Sequence, residues 1–187
     1  MKKVSFVTGN KGKAEEVKEI LSKCDVEVEH IDIGKPEIDS DDLREIATYA
    51  AKKLAKELQK IVVIEDTGLY FKAFNNFPGT RPKFVVNGIG LKGILKLLKG
   101  EERGAYFMTV AAIGWPDGRV KLFEGKVEGK ISEEIKGESP EGLPYDSILI
   151  PEGHEKTFAE IPEVKKDISH RKSAFEKLGE WLKNNDV

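Results

Sequence analysis

Between the apolar run Val4, Phe6 and Val7 and an amphipathic stretch beginning at Ala14 lie Thr8-Gly9-Asn10-Lys11-Gly12-Lys13, without one large apolar side chain. A strand that feeds a helix through such a turn aims unpaired backbone N–H groups and the positive helix end at one point, where phosphate oxygens are natural guests. Gly9 and Gly12 let the backbone come close, Lys11 and Lys13 add charge, and Thr8 and Asn10 add side-chain donors. The spacing is not that of a Walker A loop, because two residues rather than four precede Gly12-Lys13 and Ala14 follows where Ser or Thr is needed. An ordinary βα loop with solvated lysines has the same spacing, so the stretch alone leaves both readings open.

Three further groups could do chemistry. Glu65 and Asp66 end the apolar run "IVVIED" (61–66), which predicts a short strand whose carboxyl end carries two acids, where open α/β sheets place ligands. Period-2 geometry sends the two to opposite faces, so one of them meets the cleft squarely. A carboxylate there can hold Mg²⁺ or accept a proton from an attacking water, and a strand end meeting solvent is the plain alternative. Glu37 lies among Asp32, Asp39, Asp41 and Asp42, a cluster that reads mostly as helix-start chemistry and solvated charge. Ser169-His170-Arg171 opens the last helix. An Arg fork beside a His can read a planar polar ligand, although the triplet alone reads as an N-cap serine with exposed neighbours. His30 and His154 have no partner at metal-ligand spacing, and Cys24 falls on an apolar helix face as a core residue. An anion-cradling loop, a strand-end acid and a late His-Arg pair together point to a nucleotide polyphosphate and a divalent metal.

The elements that must position these groups follow from periodicity. A strand over residues 4–7 leads into a helix with Ala14, Val17, Ile20, Leu21 and Cys24 on one face. Residues 26–33 predict a second strand, and a helix with N-cap Ser40 carries Leu43, Ile46, Ala47, Ala50, Leu54 and Leu58 inward. A short helix over 89–99 closes at Gly100, a hairpin turns at Pro116-Asp117-Gly118, and the final helix turns Ala174, Leu178, Trp181 and Leu182 inward. The order predicts an α/β fold with a mixed, partly antiparallel sheet flanked by helices.

Composition bounds the rest. The 187 residues suit one domain, and 34% are charged against about 25% in an average domain. Abundant Lys and Glu with a single Gln match proteins of hot environments. A net charge of −2 lacks the basic footprint of a general nucleic-acid binder. The lone Cys24 suits a reducing compartment, the N-terminal apolar run is too short for a secretory signal, and no stretch is apolar enough to span a membrane. A cytoplasmic protein with neither nucleic-acid nor membrane partners is expected.

Five segments in order, "FVTGNKGKAEEV", "VIEDTGL", "FPGTRPKF", "TFAEIP" and "DISHRKSAF", resemble the signatures of the inosine triphosphate pyrophosphatase family almost end to end. The resemblance implies a single domain over 1–187, elongated and two-lobed with a central cleft, usually a homodimer. It implies Mg²⁺-dependent hydrolysis of non-standard purine nucleotides such as ITP, dITP and XTP to the monophosphate and pyrophosphate. By that similarity Thr8, Asn10 and Lys13 hold the triphosphate, with Gly9, Lys11 and Gly12 shaping the loop. Glu37 and Asp66 bind the metal, and Asp66 is also the proton acceptor. Thr67 and Lys83 contact substrate, while Tyr145, Asp146, Lys165, His170 and Arg171 form the base-recognition wall. Leu143 and Pro144 depart from the family pattern, which has an aromatic and a glycine there, and Lys166 stands where an Asn is common.

Overall fold

The computed structural model describes residues 2–185. Strand β1 (Lys2–Val7) lies between β2 (Val26–Ile31) and β3 (Val62–Phe71), parallel to both. It follows β2 from Lys2 to Val7 but meets β3 only at Ser5↔Val62 and Phe6↔Val63. Beyond Val63 the other edge of β3 carries the pairing. β5 (Gly104–Gly114) runs antiparallel to it through Phe71, and the two-residue β4 (Pro78–Gly79) caps its far end. β6 (Val120–Ile131) returns from the hairpin beside β5, and β7 (Leu149–Pro151) closes the sheet in the order β2-β1-β3-β5-β6-β7.

Alternation along β3 assigns the helices to its faces. Val62 and Ile64 pack with Leu43, Ala47, Ala50 and Leu54 of α2 (Leu43–Leu58). Val63 points the other way, into a cluster built by α1 (Lys11–Ser22) and α5 (His170–Asn184) around Phe6, Phe175 and Leu178. Each large side chain removed from water contributes about 1.5–3 kcal/mol. The far halves of β3, β5 and β6 carry a separate cluster of Leu69, Phe71, Phe107 and Val127, covered by Val85 and Ile94 of α3 (Pro82–Leu97) and by Phe158. The acids of β3 therefore sit between two apolar clusters.

Several boundaries differ from the sequence expectation. β3 does not stop at Asp66, because β5 pairs with it residue by residue to Phe71. Glu65 and Asp66 are mid-strand and stand at the carboxyl end of only the parallel part. β2 ends at Ile31, where its partner β1 ends at Val7. The cap of α2 is Asp42, whose carboxylate accepts from Arg44 N at 2.8 Å, while the Ser40 hydroxyl accepts from Asp42 N at 3.0 Å. α3 begins at Pro82 rather than near residue 89 and is broken at Gly90 (φ 64°), a conformation open to glycine. A short helix, α4 (Pro162–Ile168), was not expected although Pro162 at its first position signals it.

Candidate active site

The loop after β1 is held by its own side chains. The Thr8 hydroxyl accepts from Asn10 N (3.1 Å), and Asn10 Oδ1 accepts from Lys13 N (3.1 Å), so Asn10 is the N-cap of α1. The other end of that amide donates to the Gly142 carbonyl at 2.9 Å. A Cβ at Gly12 would lie 2.6 Å from the Glu141 carbonyl oxygen, so this glycine serves the packing of the 141–142 segment. Gly9 is exposed and would meet nothing nearer than Asp32 Oδ1 at 3.8 Å, which leaves its backbone accessible. Lys11 is exposed, whereas Lys13 turns inward along α1.

Lys13 Nζ meets Glu65, whose side chain is 1% exposed. Arg171 Nε donates to Glu65 Oε2 at 3.2 Å and the Thr67 hydroxyl donates to the same oxygen at 3.0 Å. Thr67 also exchanges a hydrogen bond with Thr109 at 2.6 Å. Burial alone pushes the Glu65 carboxyl up, but Arg171 and Lys13 outweigh it and hold the group far below the usual carboxylate range. Glu65 is therefore an ionised anchor.

Asp66 faces the opposite way, as period-2 geometry requires. Lys35 Nζ contacts its Oδ1 and donates to the Glu65 carbonyl at 3.2 Å. Oδ2 is buried without a hydrogen-bond partner. Burial raises the Asp66 carboxyl above its ordinary value against the pull of Lys35, which makes it a better proton acceptor than a solvated aspartate. The Lys35 ammonium occupies one oxygen, and the unpartnered Oδ2 is the atom open to a cation. Glu37 is exposed on the extended segment before α2, and no three His, Cys, Asp or Glu side chains converge among the described residues. Mg²⁺ needs only one or two protein carboxylates, filling its shell with water and phosphate oxygens, so the open Asp66 Oδ2 meets that minimum.

Toward α4, the second group of residues lines a cavity of about 280 Å³ that includes Gly12, Glu16, Leu143, Asp146, Phe158 and Lys165. Lys165 Nζ donates to Asp146 Oδ2 and Glu16 Oε1, both at 2.5 Å, and Arg171 Nη1 donates to Glu16 Oε2 at 2.5 Å. Burial raises the Asp146 carboxyl against Lys165; at Glu16 Arg171 and Lys165 overcome burial and lower it. Tyr145 opens no contact to these charges: its ring packs edge-on against Phe107 and its hydroxyl donates to the Pro82 carbonyl at 2.7 Å. Pro144 starts a 3-10 turn, Pro144–Ser147, that presents Asp146. Lys83 is exposed on the first turn of α3, tied to this turn through Pro82.

The sequence reading of Ser169 as a cap holds, since its side chain accepts from Lys172 N at 3.1 Å, but its neighbours are not exposed. His170 and Arg171 are 3% and 1% accessible. Ser169 ends α4 and starts α5 at once, and Gly125 of β6 lets the first turn of α5 lie on the sheet: a Cβ there would come within 2.0 Å of the His170 carbonyl oxygen. The His170 ring stacks on Phe107 with centroids 4.7 Å apart, and its Nδ1 has no partner. Burial, helped by Arg171 and Lys165, lowers its pKa well below 6.5, so the ring is neutral.

Sequence reasoning missed four participants. Glu16 and Lys35 carry no local signal on their helix and loop, and only the tertiary approach of Arg171 and Asp66 marks them. Phe107 and Phe158 read as strand and segment hydrophobes. Phe158 lies fully buried behind the cavity, and only its place in "TFAEIP" could have signalled it.

Comparison with known proteins places this arrangement. The sequence profile of the Ham1 family matches residues 4–181. A dITP/XTP pyrophosphatase of Methanopyrus kandleri is 49% identical, covering 98% of this chain and 97% of its own. One of Saccharolobus solfataricus is 46% identical over 97% and 94% of the two chains. Among solved structures, a Ham1 protein from Coxiella burnetii superposes with a TM-score of 0.80 at 27% identity, covering 99% of this chain and all of that one. The Staphylococcus aureus Ham1 protein gives 0.78 at 30% identity, with the same coverage. Profile, near full-length relatives and matching mixed sheet agree that the chain belongs to the Ham1 family.

Proposed function

We propose that the chain is a nucleoside-triphosphate pyrophosphatase that hydrolyses non-standard purine nucleotides, ITP, dITP and XTP, to the monophosphate and pyrophosphate. The observation that carries this reading is that Lys13, at a helix N-terminus, turns inward to Glu65 beside the half-buried Asp66, whose Oδ2 has no hydrogen-bond partner. The names of the relatives support the same substrate class.

In this reading the accessible backbone at Gly9, the loop N–H groups and Lys13 hold the β and γ phosphates, with Thr8, Asn10, Lys11 and Gly12 fixing the loop. Asp66 takes the proton of a water attacking the α phosphorus, the bond from that phosphorus to the bridging oxygen breaks, and pyrophosphate leaves with the electron pair. Thr67 and Lys83 steady charge near the α phosphate. Asp66 and Glu37 would hold Mg²⁺, which would supply charge neutralisation at the phosphates. Acceleration comes from positioning and electrostatics.

Base choice follows from donors. Lys165, Arg171 and His170 favour a purine carrying a 6-oxo group, while an amine leaves donors facing donors, a penalty that reaches factors of about 10⁴. Leu143, Pro144, Tyr145 and Asp146 shape the wall. A homodimer in the cytoplasm belongs to the same reading, and sedimentation at micromolar concentration tests the pairing.

The experiment is a panel of initial rates with Mg²⁺ for ITP, XTP, dITP, ATP, GTP and dUTP. Preference for the 6-oxo purines ITP, XTP and dITP over ATP and dUTP is expected. Equal rates across the panel, or a preference for dUTP, would refute the substrate class.

A further inference from the structure

We propose that Glu65 is the positioning residue of this site, which links the triphosphate end of the ligand to the base end through one ionic chain, buried at Glu65, Arg171, Lys165 and Asp146 and half-buried at Lys13 and Glu16. The inference rests on the pyrophosphatase reading and adds a residue and a coupling to it. The chain alternates in sign: Lys13, Glu65, Arg171, Glu16, Lys165, Asp146. Lys13 belongs to the phosphate loop on α1, Arg171 to the first turn of α5, and Lys165 to α4. Glu65 is the only member that touches both the loop lysine and the guanidinium. Its oxygens are divided between them, Oε1 facing Lys13 and Oε2 accepting from Arg171 Nε at 3.2 Å and from Thr67 at 3.0 Å. With Oε1 in an ion pair with Lys13, Oε2 accepting two hydrogen bonds and the side chain 1% exposed, Glu65 is a clamp on protein cations.

A carboxylate shared by two cations couples them. A phosphate oxygen that draws on the Lys13 ammonium reduces its hold on Oε1, and more of the carboxylate charge is left to Arg171. The guanidinium then moves toward Glu65 and releases Glu16, which in turn changes the demand on Lys165 at the base wall. Ion pairs largely withdrawn from water transmit such changes over contact distances, because water screens them less than it does surface pairs. By linkage, occupancy of the phosphate loop must then alter affinity for the base, and the reverse, by the same factor.

The test is a titration of the full-length protein with inorganic pyrophosphate, with calorimetry for binding and NMR for the Arg171 Nε–H resonance, assigned by its loss in Arg171→Lys. Pyrophosphate reaches the loop and carries no base. Binding accompanied by a shift of that resonance, and loss of the shift in a Glu65→Gln protein that still binds pyrophosphate, is the expected result. Binding with an unmoved resonance, or a shift that persists in Glu65→Gln, overturns the coupling and leaves the pyrophosphatase reading standing. Failure of pyrophosphate to bind overturns both. Should Glu65→Gln not fold, wild-type affinity for inosine with and without pyrophosphate decides: a change of roughly tenfold supports the coupling, and independent binding refutes it.

Discussion

At the scale of single residues, two neighbours on one strand have opposite environments and opposite tasks. Glu65 is surrounded by cations and stays ionised, whereas Asp66 has a single cation, a free oxygen and a raised affinity for protons. Asp66→Asn should therefore leave nucleotide binding measurable by calorimetry while turnover falls about 10²–10⁴-fold, the usual worth of a general base; near wild-type turnover would remove Asp66 from that role. Lys13→Ala should weaken triphosphate affinity about 10- to 100-fold, the loss of a charged hydrogen bond, and shift the ITP:GTP preference by less. His170 gives a pH signature. Neutral in the folded chain and titrating near 6.5 when unfolded, it makes the unfolded state bind more protons below pH 6.5, so stability falls as pH drops through that window. Urea unfolding should show a steeper loss between pH 6.5 and 5.5 in the wild type than in His170→Gln, by up to about 1.4 kcal/mol per pH unit. Equal slopes would mean a charged or solvated ring.

At the scale of elements, the site depends on how closely helices approach the sheet. Gly125 removes the side chain that would strike the first turn of α5. Gly125→Ala should cost about 1–3 kcal/mol through overpacking, a fall in Tm of about 2–12 °C by calorimetry, with lowered turnover because His170 and Arg171 move with the helix. Unchanged Tm and rate would show that α5 can back away without consequence. This contact also marks what the sequence could and could not convey. Apolar periodicity located α1, α2 and α5, because each buries a continuous face, and the Pro116-Asp117-Gly118 turn located the hairpin. It ended β3 too early, since Thr67-Gly68 looks like a turn until β5 is known to pair alongside. It left His170 and Arg171 exposed, since burial of an arginine depends on two acids from distant segments, Glu16 and Glu65, that no local pattern reveals.

At the scale of the whole molecule, the sheet carries apolar clusters toward both ends and charge between them. The phosphate loop and the acids were legible as residue types, and their meeting is a product of strand order: β1 stops beside the acids of β3, and α1 departs from there with Lys13. The charged centre is held by the fold at a desolvation cost that a ligand helps to offset. A non-hydrolysable ITP analogue at a hundred times its Kd should stabilise the chain by about 2.7 kcal/mol, a rise in Tm of about 5–11 °C. A thermal scan without any shift would place the ligand off the folded state. The most direct measurement of the central claim is the identity of the first products of ITP turnover by ³¹P NMR. The account predicts IMP and pyrophosphate in equal amounts from the earliest time points; IDP and orthophosphate would contradict it.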